Sequence, residues 1–259
     1  MTNRTVIDHA RIALACLDLT SLNDVDTDAD VAALCERATG RHGAVAAVCV
    51  WPRFARLARD CVAPVVKVAA VANFPDGTTD LQRTQRDVGL IVQGGAQEVD
   101  VVLPYRALLA GDEAACAAVL RAARRASDGL TLKVILETGE LQDDTLIARA
   151  ARLALAEGAD FLKTSTGKTP ISATLQAAAV MLQAIASETA ARSRVGFKAS
   201  GGIRSVASAA NYIDDVARVL GDGALTPTRF RIGASSLLDD IEAVLAGAPG
   251  KPDMPLGTY

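Results

Sequence analysis

The chain has 259 residues, of which half are hydrophobic and 22% are charged, and its formal net charge is -3. This composition is typical of a globular protein with a large core. The sequence contains no basic block and no run of about eighteen apolar residues, which argues against a nucleic-acid partner and against a transmembrane helix. Acidic residues near the start of the chain also argue against a secretory signal.

The cysteines and histidines indicate a reducing compartment and no metal site. The five cysteines are odd in number and form no CxxC motif, so we expect free thiols in a cytoplasmic protein. The two histidines, His9 and His42, have no partner at the spacing of metal ligands.

Short apolar runs alternate along the chain with alanine-rich segments of helical period. The predicted strands lie at residues 15–19, 45–50, 65–73, 98–103, 130–137, 161–165, 195–199 and 230–234. Helical periods lie at residues 28–39, 52–60, 79–94, 112–127, 143–157, 172–192 and 204–220, and a last helix follows Ser235.

Eight strands, each followed by a helix, predict an α/β fold of the closed (β/α)8 TIM-barrel type over residues 1–246. An open doubly wound sheet is the structural alternative. No GxGxxG motif follows the first strand, and one helix fills each connection, which favours closure. The Gly- and Pro-rich residues 247–259, which end in Tyr259, predict a flexible tail.

The lysines are few and unusually placed. Only six lysines accompany twenty-one arginines, and four of the six, Lys67, Lys133, Lys163 and Lys198, lie within predicted strands. Burial disfavours an ammonium group, so such a lysine is either paired with an acid or kept as a neutral amine. Lys163 and Lys198 are candidates for a Schiff-base lysine and the cation that lowers its pKa.

Strand alternation places several charged side chains on faces that would point into the barrel. These residues are Asp100, Lys133, Glu137, Lys163 and Lys198. Their strands are consecutive, so we expect the side chains to be neighbours, with Lys133 paired to Glu137. A register slip of one residue would reverse this expectation. Asp100 is either a structural partner of the amines or a group that exchanges protons with substrate.

Three small-residue turns follow the late strands. Small residues there leave backbone N–H groups open to an anion, and late barrel loops commonly bind phosphate. The turns are Thr164-Ser165-Thr166-Gly167-Lys168, Ser200-Gly201-Gly202 and Gly233-Ala234-Ser235-Ser236. Together they indicate a ligand that carries a phosphate monoester.

Several runs resemble the deoxyribose-phosphate aldolase family, from about Asp18 to Leu238 and again at Tyr259. The most specific are FLKTSTGK at 161–168 and GFKASGGIR at 196–204, and the others are LDLT, EVDVV, PYRAL, LKVILETG and GASSLL. The resemblance implies a class I aldolase without metal or cofactor. Such an enzyme reversibly cleaves 2-deoxyribose 5-phosphate to glyceraldehyde 3-phosphate and acetaldehyde, and related barrels are often homodimers.

By this resemblance Lys163 forms the Schiff base, Lys198 lowers its pKa and relays protons, and Asp100 is the general acid and base. The substrate site is expected to include Asp18, Thr20, Cys49, Lys133, Thr166, Gly167, Lys168, Gly201, Gly202, Ser235, Ser236 and Tyr259. Two alternatives stay open: a lysine-dependent aldolase for a different sugar phosphate, and a barrel that binds sugar phosphates without catalysis.

Overall fold

The computed structural model describes residues 4–252, and in this part of the chain eight parallel strands close into a barrel. Together with a two-stranded hairpin, the described residues form ten strands. They are β1 Leu17–Thr20, β2 Thr39–Gly40, β3 Gly43–Ala44, β4 Ala47–Val50, β5 Lys67–Ala72, β6 Glu98–Val102, β7 Thr131–Ile135, β8 Phe161–Lys163, β9 Gly196–Ser200 and β10 Phe230–Ala234. Around the barrel the order is β1, β10, β9, β8, β7, β6, β5 and β4, while β2 and β3 form a separate hairpin. The predicted TIM-barrel class is confirmed.

Helices surround the barrel. They are α1 Val6–Ala15, α2 Asp28–Arg37, α3 Ala55–Cys61, α4 Leu81–Gln93, α5 Tyr105–Leu109, α6 Glu113–Ala126, α7 Thr138–Leu141, α8 Asp144–Ala156, α9 Leu175–Ser187, α10 Thr189–Arg192, α11 Val206–Leu220 and α12 Leu237–Leu245. Side chains of Thr5 and Thr27 complete capping boxes that start α1 and α2. No helix within residues 4–252 has the length and apolarity that crossing a bilayer requires.

The structure differs from the sequence prediction at some element boundaries. The strand predicted at 15–19 starts too early, because Ala15 still belongs to α1, which packs against α11 and α12. The helix predicted at 172–192 divides into α9 and α10 at Glu188, whose backbone is extended. The strand predicted at 130–137 ends at Ile135, and Glu137 adopts a left-handed conformation with φ of 56°.

The strand register decides which side chains share the barrel interior. Lys163 pairs in register with Lys198 on β9, and Phe161 pairs with Gly196. Where Phe161 and Gly196 lie side by side, the space is filled by the Phe161 ring. A Cβ at Gly196 would lie 2.3 Å from a ring carbon of Phe161. The glycine therefore makes space for an aromatic ring directly below the lysine pair.

We predict that Gly196→Ala lowers the free energy of unfolding by about 1–3 kcal/mol, because the methyl group overlaps the Phe161 ring. Gly89→Ala in α4 is the matched control, since no atom lies within 4 Å of its added Cβ. Its helical position should make alanine neutral or stabilising by up to about 1 kcal/mol. Denaturant unfolding of both variants measures the difference, and equal effects would contradict the packing argument.

Candidate active site

A cluster of charged side chains fills the barrel interior. Within residues 4–252 the cluster has four basic members and three acidic members, all almost completely buried. The basic members are Lys133, Lys163, Lys198 and Arg231, and the acidic members are Asp18, Glu98 and Asp100. They come from β1, β6, β7, β8, β9 and β10, so the closed barrel brings together residues that are distant in sequence.

Asp100 is shared by three lysines. Its Oδ2 lies 2.8 Å from Nζ of Lys163 and 2.8 Å from Nζ of Lys198, and its Oδ1 lies 2.8 Å from Nζ of Lys133. Since two amines contact one oxygen, Lys163 and Lys198 are direct neighbours. The burial and the clustering that alternation predicts for these four side chains are confirmed.

Asp18, Glu98 and Arg231 complete the cluster below Asp100. Asp18 accepts a hydrogen bond from Lys198 at one carboxylate oxygen, and Nη1 of Arg231 lies 2.5 Å from the other. Arg231 also forms a bidentate pair with Glu98, at 2.6 and 3.1 Å. Glu98 in turn lies 2.5 Å from Nζ of Lys133. Every carboxylate of the cluster therefore contacts at least two basic groups.

The cluster has one more basic member than acidic members. Among the basic members, Lys163 is the one whose pKa is lowered. Burial lowers the pKa of Lys163; Asp100 opposes this effect, and the Lys198 ammonium adds to it. Burial also disfavours the charge on Lys198, but Asp100 and Asp18 together raise the pKa of Lys198 above its ordinary value. The arrangement thus keeps Lys198 cationic and favours a neutral amine at Lys163.

Cys49 lies beside these groups at the end of β4. Its thiol is buried, with Sγ 4.0 Å from Oδ2 of Asp100. Burial raises the pKa of Cys49, and the Asp100 carboxylate raises it further, so the thiol stays protonated.

A cavity of about 330 Å³ opens at the carboxyl ends of β1, β8, β9 and β10. It is lined by residues 20–23, 166–168, 200–204 and 233–236. The three small-residue turns thus lie together in one concave site, next to the lysine pair. Ser200 belongs to the cavity wall and lies two residues beyond Lys198 on the same face of β9.

The turns around the cavity require glycine at two places. Gly201 has φ of 91°, and its Cβ would lie 2.6 Å from Ser172. A Cβ at Gly233 would lie 2.6 Å from Oγ of Ser200 and 3.0 Å from Cε of Lys198. Both residues must therefore lack a side chain because Ser172, Ser200 and Lys198 pack closely against them, and α12 begins directly after Ser236. An anion in the cavity would meet backbone N–H groups and the positive end of that helix.

Lys168 and Arg204 bring positive charge to the cavity wall, and both are exposed. The hydroxyl of Thr166 accepts a hydrogen bond from the backbone N–H of Lys168 at 3.0 Å, which orders the turn. Arg204 was not among the predicted site residues, although it directly follows the Ser200–Ile203 stretch. A polar cavity with two cations at its rim suits a phosphate group.

Glu137 does not pair with Lys133, so that prediction is wrong. The strand ends before Glu137, and the left-handed backbone turns its carboxylate toward the neighbouring β8 turn. There it accepts hydrogen bonds from the N–H of Thr166 at 3.2 Å, from the Thr166 hydroxyl, and from the Thr169 hydroxyl at 3.4 Å. Lys133 instead contacts Asp100 and Glu98.

Sequence reasoning missed two members of the cluster, Glu98 and Arg231. Both could have been found from strand alternation, since Glu98 lies two residues before Asp100 and Arg231 lies two before Gly233. Tyr259 lies outside the described residues. Within residues 4–252 no group of three His, Cys, Asp or Glu side chains is placed to hold a metal ion.

Comparison with known proteins identifies a consistent set of relatives. Residues 12–242 match the family described as DeoC/LacD family aldolase. A deoxyribose-phosphate aldolase of Agrobacterium fabrum is 45% identical over 248 residues, which is 95% of this chain and 94% of the relative.

Solved structures agree with the sequence match. A Toxoplasma gondii protein, provisionally named as a deoxyribose-phosphate aldolase, superimposes with a TM-score of 0.84 at 27% identity. The superposition covers 94% of this chain and 96% of that protein. A protein named QR15, an aldolase, has a TM-score of 0.77 at 28% identity and covers 90% of this chain and 96% of its own.

We predict that Glu137→Gln is more tolerated at high pH than at low pH, relative to the unchanged chain. Burial raises the pKa of Glu137 in the folded protein above the ordinary carboxyl value. The desolvation penalty is therefore absent below the unfolded pKa and grows as pH rises through the folded one. Glutamine escapes this penalty and still accepts hydrogen bonds. Denaturant unfolding from pH 4 to pH 9 tests the sign, and a loss of stability on Glu137→Gln that becomes larger as pH rises would contradict it.

Proposed function

The chain belongs to the DeoC/LacD aldolase family, and we propose that it cleaves 2-deoxyribose 5-phosphate reversibly to glyceraldehyde 3-phosphate and acetaldehyde. In this function it is a lyase that works through a Schiff base on Lys163. The relative at 45% identity carries the name of this activity along nearly the whole chain.

The observation that carries the proposal is the position of Lys163. Its amine is buried, touches Asp100 and neighbours a second lysine held cationic. Four residues further along the chain, Gly167 lines the cavity that suits a phosphate. One ligand can therefore place a phosphate in the cavity and a carbonyl carbon at the amine, which is the geometry that an imine-forming sugar-phosphate aldolase needs.

The reaction begins with the neutral amine of Lys163. Its lone pair adds to the aldehyde carbon of the open-chain sugar, and loss of water leaves a protonated imine. The carbon–carbon bond next to the hydroxyl-bearing carbon then breaks, and its electron pair moves toward the imine to form an enamine. The hydroxyl loses its proton and becomes the aldehyde of glyceraldehyde 3-phosphate. Protonation of the enamine and hydrolysis of the imine release acetaldehyde and restore the amine.

Asp100 and Lys198 supply the proton route in this proposal. In the resting structure both oxygens of Asp100 accept from lysines. Burial works against its charge, but Lys133, Lys163 and Lys198 together hold the pKa of Asp100 well below the ordinary value. Asp100 therefore first orients the amines. Once Lys163 is an imine, the Lys198 ammonium and the Asp100 carboxylate lie beside the reacting carbons and can exchange protons with them through water.

The cavity residues bind the remote end of the substrate. We assign the phosphate to the turns at Gly167, Gly201, Gly202, Ser235 and Ser236, with Lys168 as a cationic partner and Thr166 ordering its turn. Thr20 lines the cavity beside them, and we assign it to the sugar hydroxyls. Binding energy from the phosphate then orients the aldehyde carbon. Asp18 and Lys133 hold the lysine pair, Cys49 packs against Asp100, and Tyr259 remains a prediction for a group that reaches the site from the tail.

Two further statements belong to the same proposal. We place the catalytic barrel at residues 1–246 and a separate tail at 247–259, of which residues 253–259 lie outside the described part of the chain, and limited proteolysis would test this division by cleavage confined to the tail. We also propose a cytoplasmic protein that acts on small molecules and forms a homodimer. Sedimentation equilibrium would decide the last point, since a monomer at micromolar concentration would exclude it.

We predict that Lys163→Leu lowers the cleavage rate by at least about a thousandfold, because no other amine can form the imine. The direct measurement is incubation with acetaldehyde and borohydride, followed by peptide mapping. The expected product carries one ethyl group on Lys163. Lys67→Ala is the matched control, since Lys67 lies exposed at the start of β5 and should leave both trapping and rate unchanged.

The trapping experiment also separates the alternatives. A barrel that binds sugar phosphates without catalysis would give no ethylated lysine despite ligand binding. An aldolase for a different sugar phosphate would be trapped by its own carbonyl substrate but not by acetaldehyde. Ethylation of a lysine other than Lys163 would contradict the assignment of the imine.

We predict that Ser236→Ala raises KM for 2-deoxyribose 5-phosphate by about tenfold, because a hydrogen bond to a charged phosphate is lost. The KM for unphosphorylated 2-deoxyribose should stay nearly constant. Ser187→Ala, at the exposed end of α9, is the control and should alter neither constant. Equal effects of Ser236→Ala on both sugars would remove the phosphate from this turn.

A further inference from the structure

Arg231 and Glu98 lie where no substrate can reach them. They are 4% and 3% exposed, and each lies two residues before the cluster or cavity residue on its strand, Gly233 and Asp100 respectively. That position puts them on the side of the cluster away from the phosphate cavity. A buried ion pair of this kind gains little stability over apolar packing, because both groups lose their hydration. Their presence beneath the lysines therefore calls for a separate explanation.

We propose that the Arg231–Glu98 pair sets the protonation state of Lys163 by fixing the number of charges in the cluster. This inference rests on the proposed function, since it concerns the amine that forms the imine. Both residues act through their neighbours and are positioning residues rather than groups that touch substrate.

Contacts connect the pair to Lys163 in two directions. Arg231 occupies one oxygen of Asp18, whose other oxygen accepts from Lys198, and Lys198 contacts the same oxygen of Asp100 as Lys163. On the other side, Glu98 shares Lys133 with Asp100, at 2.5 and 2.8 Å.

The identity of the permanent cation matters in this arrangement. A guanidinium group does not lose its proton in a protein, whereas a buried lysine does. Arg231 is further held by the Pro227 carbonyl at 2.5 Å, and its guanidinium lies 5.7 Å from the centre of the Phe161 ring. With arginine fixed as one of the four basic members, the uncompensated proton must leave a lysine. Lys133 and Lys198 each contact two carboxylates closely, while Lys163 contacts one.

Other titratable groups near Lys163 stay constant in the comparison below. Cys49 on β4 is a buried thiol with a raised pKa, so it adds no charge. Glu137, beyond β7, accepts from the neutral donors of Thr166 and Thr169, and burial raises its pKa. Asp18, Asp100, Lys133 and Lys198, on β1, β6, β7 and β9, complete the surroundings.

Removing charges one at a time gives opposite effects. Arg231→Met leaves three basic and three acidic members, so the cluster has no net charge when Lys163 is protonated. Glu98→Gln leaves four basic members and two acidic members, so the pKa of Lys163 falls further. Changing both residues leaves three against two, which restores the excess of one cation found in the unchanged chain.

The test is the pH dependence of acetaldehyde trapping on Lys163 with cyanoborohydride, run in parallel on the unchanged chain and the three variants. We expect the pH of half-maximal trapping to rise in Arg231→Met by about one unit or more, a fall of about tenfold or more in the free amine at fixed acidic pH. In Glu98→Gln it should fall, and in the double variant it should return toward the original value. The effect of pH on the reagent itself cancels, because it is the same for all four proteins.

A purely structural role for the pair predicts a different pattern. Both single variants would then shift in the same direction or lose trapping alike, and the double variant would be the most impaired. That result, or unshifted profiles, overturns the inference while leaving the proposed function intact. Absence of trapping on Lys163 in the unchanged chain would instead overturn the proposed function.

Folding of the variants is checked by circular dichroism and thermal unfolding. Should Arg231→Met not fold, Glu98→Gln and the double variant still carry the test, because the profile must fall in the first and return in the second. Failure of all three variants to fold would show that the pair is structural and would overturn the inference.

Discussion

The structure depends on one carboxylate that three lysines share. Asp100 brings the amines of Lys133, Lys163 and Lys198 into contact with a single side chain inside the barrel, where all four groups are almost completely buried. Two of those lysines have a second acidic partner, Glu98 for Lys133 and Asp18 for Lys198. The third, Lys163, has no second acidic partner in contact among residues 4–252. This inequality, more than burial alone, distinguishes Lys163 as the lysine of the three whose pKa is lowered.

The barrel topology makes this arrangement possible. The seven charged side chains come from six strands, with Glu98 and Asp100 both on β6, and the backbone hydrogen bonds of neighbouring strands fix the heights at which the side chains meet. Gly233 and Gly196 reduce crowding at two of these heights, one beside Lys198 and one beside Phe161. The chemical groups are therefore supported by regular structure, while the turns that follow the strands form the cavity for the ligand. The amine is therefore held on a strand inside the barrel, while the phosphate cavity is formed by the turns at the end of the barrel.

The sequence predicted best those features that depend on the residue pattern within one strand. The barrel class and the burial of Lys163, Lys198 and Asp100 followed from alternation and from the cost of placing charge in an apolar run. The wrong pairing of Lys133 with Glu137 shows the limit of that reasoning, because alternation assumes that the strand continues. The left-handed backbone at Glu137 ends it, and nothing in the local residue pattern reveals which acid lies across the barrel. Alternation does place Glu98 and Arg231 on the inward faces of their strands, but it does not identify their partners, which lie on strands remote in sequence.

The most direct measurement of the central claim is the pKa of Lys163 itself in the absence of any substrate. The six lysines of the chain can be labelled at the side-chain carbon and titrated by NMR, with Lys163 assigned from the signal lost in Lys163→Leu. The account predicts that Lys163 titrates below the ordinary lysine value of 10.5, while Lys198 titrates above it. A Lys163 that titrates at or above that value would contradict the account.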